Sequence, residues 1–70
     1  MTATKHIAEY DIVELTEAVE AAPAGARGGV LDIFSGGKAM VEITTMPGEM
    51  DIDRIIVAPL SKLRVVKPAA

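Results

Sequence analysis

Residues 25–43 read GARGGVLDIFSGGKAMVEI, and this stretch decides the fold. Two glycine pairs bracket an apolar run, and a lysine follows the second pair. A phosphate-binding loop needs such glycines between a strand and a helix N-terminus, with Lys followed by Ser or Thr. Here Gly28 and Gly29 open a strand, and Gly36-Gly37-Lys38 leads through Ala39 into another. The helix that would aim its amides at an anion is missing, so the glycines are read as chain reversal and close backbone approach.

Working outward, GVLDIF (29–34) is short and rich in β-branched and aromatic residues, which marks a strand with Leu31 and Ile33 on one face. Phe34 is expected in the core. Gly36 and Gly37 accept the positive φ angles of a tight type I′ hairpin turn spanning SGGK, 35–38. AMVEITT (39–45) returns with Val41 and Ile43 on one face and Met40, Glu42 and Thr44 on the other. Pro47-Gly48 within MPGE fits a type II turn. MDIDRIIVA then climbs into a core strand of Ile55, Ile56 and Val57, which ends at Pro59 because proline has no amide hydrogen for a ladder. A single 3₁₀ turn and a last strand, LRVV (63–66), follow. Upstream, YDIVEL (10–15) is the first strand, with Val13 and Leu15 on one face. Residues 16–24 fit either a short helix capped by Thr16 or an irregular loop.

Five short strands with little helix predict an all-β domain, a small antiparallel barrel or strongly bent sheet spanning residues 10–66 between a tail at 1–9 and another at 67–70. At 70 residues the core is thin, and with only Tyr10 and Phe34 aromatic it must be aliphatic. Without cysteine, disulfides and thiolate metal sites are excluded. The N-terminus lacks the apolar segment of a secretion signal, and no apolar run reaches the ~20 residues of a membrane helix, so a soluble, cytoplasmic chain is expected.

The order of these pieces resembles a small bacterial family known as domain of unknown function 4926. Tyr10-Asp11-Ile12-Val13-Glu14-Leu15-Thr16-Glu17 is similar to that family's first strand, and Gly25-Ala26-Arg27-Gly28-Gly29-Val30-Leu31 to its glycine-bracketed second strand. Val41-Glu42-Ile43 resembles its Val-Glu-Phe strand, and the stretch from Ile56 to Val66 its closing strand, 3₁₀ turn and Leu-Arg ending. The chain departs from the pattern at Ala26, where an acid is usual, and near Ala39 and Ile43, where an aromatic is usual. The resemblance implies an SH3-like five-stranded barrel and supplies no activity, since fold does not dictate function.

The charges are segregated. Residues 1–53 hold all ten acids and three bases, whereas residues 54–70 hold Arg54, Lys62, Arg64 and Lys67 and no acid. The expectation is that the two ends pair across a sheet. Glu9, Asp11, Glu14, Glu17 and Glu20 form an acidic series that opposes a polyanion. Glu49, Asp51 and Asp53 alternate, but lack the glycine and distal glutamate of a calcium loop, and read as a solvated turn. His6 stands alone in a tail, and Ser35 and Ser61 have no identifiable base, so no enzyme chemistry, metal or cofactor is implied.

Two functional classes remain. The first is a protein-interaction module that binds a protein partner or forms a homodimer. Its candidate contact residues are Met40, Arg54, Lys62 and Arg64, and Met40, Met46 and Met50 suit either an adaptable surface or gaps in the core. The second is weak nucleic-acid binding through Arg54, Lys62, Arg64 and Lys67, against which stand net acidity and the shortage of aromatic platforms.

Overall fold

The computed structural model describes residues 7–47 and 54–69. Five strands form one antiparallel sheet: β1 (Ile12–Leu15), β2 (Arg27–Phe34), β3 (Lys38–Thr45), β4 (Arg54–Pro59) and β5 (Leu63–Lys67). Their spatial order is β4-β3-β2-β1-β5, so the two edge strands are consecutive in the chain. A three-residue 3₁₀ turn, Leu60–Lys62, joins them, as expected after Pro59. Its first amide donates to the Gly37 carbonyl (2.8 Å), and its Lys62 carbonyl accepts from the Thr16 amide (2.9 Å), which ties the turn to both halves of the sheet. No pairing joins β4 to β5 among the described residues, so the sheet is open there.

The expected hairpin is present, with Gly36 and Gly37 at φ 97° and 85°. Phe34 pairs with Lys38, so three residues make the reversal instead of the two that a type I′ turn over SGGK would use. The Pro47-Gly48 turn lies partly outside the described residues, as do His6, Met50 and the Glu49, Asp51, Asp53 series.

Inward side chains from all five strands build one aliphatic core, in which Val13, Leu15, Val30, Val41, Ile43 and Ile56 are the largest fully buried members. Burying each such side chain contributes roughly 1.5–3 kcal/mol. Val13 and Leu15 share the core face, as do Val41 and Ile43, while Met40 points the other way and Met46 packs half-buried against the core.

The alternation in β2 differs from expectation. Val30 is fully buried and Ile33 packs on the core, whereas Leu31 does not, because the register with β3 shifts between Val30 and Asp32. A bulge adds one residue and reverses the parity of everything beyond it. Phe34 is only half-buried at the hairpin end and is not part of the core cluster. In β4 only Ile56 and Ala58 enter the core, and Ile55 and Val57 face outward, because an edge strand of an antiparallel sheet buries alternate residues and not a continuous run.

Two short segments around β1 replace what the sequence left open or assigned otherwise. Residues 8–11 form a turn, closed by the Asp11 amide on the Ala8 carbonyl (3.1 Å), so β1 begins at Ile12 and not at Tyr10. Residues 16–24 contain no helix. Val19 and Ala22 exchange two main-chain bonds of 2.9 Å in a miniature hairpin turning at Glu20 (φ 52°), and both pack into the core. The Glu20 carboxylate then accepts from the Val57 amide (3.4 Å), so this loop covers the free edge of β4, a usual way to blunt an exposed edge strand.

Candidate interaction surface

The four sequence candidates do not converge on one patch. Met40 and Arg54 lie on β3 and β4, and Lys62 and Arg64 lie at the opposite edge of the sheet, on the 3₁₀ turn and β5. The antiparallel register sets Arg64 opposite Glu14, and Glu14 opposite Arg27 on the other side. Arg64 Nη2 donates to Glu14 Oε1, and Arg27 Nε donates to Glu14 Oε2 at 3.3 Å. Lys62 Nζ stands 3.7 Å from Glu17 Oε1. Two of the four C-terminal bases, Arg64 and Lys62, therefore pair with N-terminal acids, while Arg54 and Lys67 are in no ion pair among the described residues. Hydrogen bonds from Arg64 first, and then from Arg27, hold the Glu14 carboxyl below its ordinary pKa.

The acidic series is not a continuous surface. Asp11 is buried, at 5% exposure, and its carboxylate accepts the amides of Ala8 (Oδ2, 2.9 Å) and Ala69 (Oδ1, 2.8 Å). These main-chain donors, Ala8 first, lower its pKa against the opposing effect of burial. The sequence placed Asp11 in an acidic surface series. One donor lies three residues back, in a turn the sequence did not reveal, and the other 58 residues on, so no local signal marked this role.

The other side of the sheet is different in character. Outward positions of β3 and β4 stand in cross-strand rows, in which Met40 pairs with Val57 and Glu42 with Ile55. Ile55 is 59% exposed and Val57 39%. On β2, Asp32 pairs with Met40 and Gly29 with Glu42, while half-buried Leu31 sits at the bulge beside them. Ile12, 38% exposed, extends the second row across β1 through its pairing with Gly29. An outer antiparallel face is ordinarily polar. This one carries β-branched aliphatics and a methionine, the side chain that adapts most readily to a partner's contours.

Gly28 makes the close approach of β2 to β3 possible. A Cβ built there would stand 2.0 Å from the Glu42 carbonyl oxygen, so β2 and β3 approach at a distance that only glycine permits. Among the described residues there is no concave pocket and no group of three metal-ligating side chains. No helix among them is long and apolar enough to cross a membrane. Compared with family models, with curated proteins and with solved structures, the chain gives no match.

Proposed function

We propose that the chain is an SH3-like β-barrel that works as a non-enzymatic protein-interaction module, contacting a protein partner or a second copy through the outer face of β3 and β4. The barrel reading is supported by the strand order, by a core drawn from all five strands, and by the 3₁₀ turn that carries the chain between the two edges. It also agrees with the resemblance to the domain of unknown function 4926 family. The single observation that carries the interaction reading is the exposure of Val57, in the outward row that holds Met40, and of Ile55 in the next row. Adjacent exposed aliphatics in so small a domain leave apolar surface that association removes from water.

Nucleic-acid binding is the weaker reading. Arg64 and Lys62, its best-placed cations, are occupied by Glu14 and Glu17. Immobilised wild-type chain, an Ile55→Asp variant and an Arg64→Glu variant separate the classes. Capture of a defined protein partner, or self-association by sedimentation, should be lost in Ile55→Asp and kept in Arg64→Glu. RNA or single-stranded DNA binding that fades with salt and disappears in Arg64→Glu alone would reverse the assignment.

A further inference from the structure

We infer that the outer β3–β4 face receives a cationic amphipathic segment of another protein, an apolar stripe flanked by Lys or Arg. This rests on the protein-interaction reading and adds the chemistry of the partner. The apolar part of the face is Met40, Val57 and Ile55, with Leu31 beside them. Neighbouring strands are about 4.8 Å apart and alternate residues along a strand about 6.8 Å apart, so the patch is on the order of 10 Å across. One face of a short amphipathic segment covers that width.

The charges around the patch select the occupant. Asp32 shares the row of Met40 and Val57, Glu42 the row of Ile55, and Glu20 meets the β4 edge at the Val57 amide. None of these three acids is in an ion pair among the described residues, whereas Glu14 and Glu17 on the opposite side are neutralised by Arg27, Arg64 and Lys62. Two bases stand in the outward rows, Lys38 at the hairpin end opposite Pro59 and Lys67 at the far end, opposite Ile12, and exposed Arg54 precedes Ile55 on β4. The charged cross-strand neighbours of Met40 and Ile55 themselves, Asp32 and Glu42, are both acids. A second copy docked by the same face would bring the unpaired acids Asp32 and Glu42 of both copies into one interface, because a two-fold interface is built from the same patch on each subunit. A partner with basic flanks avoids that repulsion and is steered toward the face.

The test uses two synthetic peptides of one amphipathic pattern, leucine with lysine and leucine with glutamate, titrated into ¹⁵N-labelled full chain. The leucine–lysine peptide should shift the amides of Met40, Ile55 and Val57, and the leucine–glutamate peptide should not. Ile55→Asp, at the most exposed position of the patch, should weaken binding at least tenfold. The pair Asp32→Lys and Glu42→Lys should weaken it about tenfold and flatten its salt dependence. Circular dichroism of each variant shows that it remains folded. Shifts centred on Glu9 and Glu14, or equal binding of both peptides, would overturn the proposal. No peptide binding together with a concentration-dependent dimer lost in Ile55→Asp would reject the cationic occupant and leave the interaction module standing. Neither binding nor dimer would remove both.

Discussion

Gly28 lies so close to Glu42 across β2 and β3 that the Cβ of any other residue would stand 2.0 Å from the Glu42 carbonyl oxygen and 2.7 Å from its carbon. Neither neighbour can move aside, since both belong to backbone. Its sequence neighbour Gly29 differs, with only the Ile12 side chain within reach, at 3.9 Å. Gly28→Ala should therefore destabilise by about 3 kcal/mol or more, the upper part of the overpacking range. Gly29→Ala should be neutral or stabilise by up to ~1 kcal/mol through the unfolded chain. Urea denaturation of the two variants checks the contrast, and equal effects would contradict it.

Ile55 and Ile56 are chemically identical neighbours with opposite fates, 59% and 1% exposed. Ile56→Ala removes buried methylenes and leaves a cavity, for an expected loss of about 2–5 kcal/mol. For a domain of this size that is enough to unfold a large fraction of the molecules. Ile55→Ala should stay within about 0.5 kcal/mol, as surface changes usually do. Thermal melts of both variants decide it.

Asp11 gives the fold an acid-sensitive element. Its pKa in the folded chain is lowered by the amides of Ala8 and Ala69, so the folded form holds this proton less tightly than the unfolded chain does. The stabilisation is complete above the ordinary aspartate range, near pH 4, and is lost as pH falls below it through the lowered folded value. Glu14, lowered by Arg64 and Arg27, has the same sign. Asp11→Asn should be less stable than wild type at pH 7 and show a shallower loss of stability between pH 5 and 2. Denaturation midpoints measured across that range provide the check, and parallel curves would count against the assignment.

Tyr10 occupies the left-handed region at φ 73° while its side chain is 68% exposed. An L-residue there bears a cost of roughly 1–2 kcal/mol that asparagine largely avoids. Tyr10→Asn should raise stability by about 1 kcal/mol, seen as a higher melting temperature. A decrease would mean that the ring contributes packing that its exposure does not suggest.

The chain reversals were legible because glycine and proline act locally. Gly36 and Gly37 announce their positive φ, and Pro59 ends β4, without knowledge of anything distant. The faces of β1 and β3 followed from strict alternation. Three kinds of feature escaped. The bulge at Leu31 depends on how β2 is matched to β3, and hydrophobicity along a single strand does not encode it. The run Ile55-Ile56-Val57 reads as a strand buried on both sides until β4 is known to be an edge. The surface missed the same way: apolar residues assigned to the interior turned out to furnish the outer face. Asp11 escaped for a third reason, since one of its two donors is 58 residues away.

That contact has an architectural consequence. A single carboxylate accepts backbone amides from the segment that precedes β1 and the segment that follows β5, at Ala8 and Ala69. The first and last described stretches of the chain are thereby pinned to one corner, three strands removed from Ile55 and Val57 on β4.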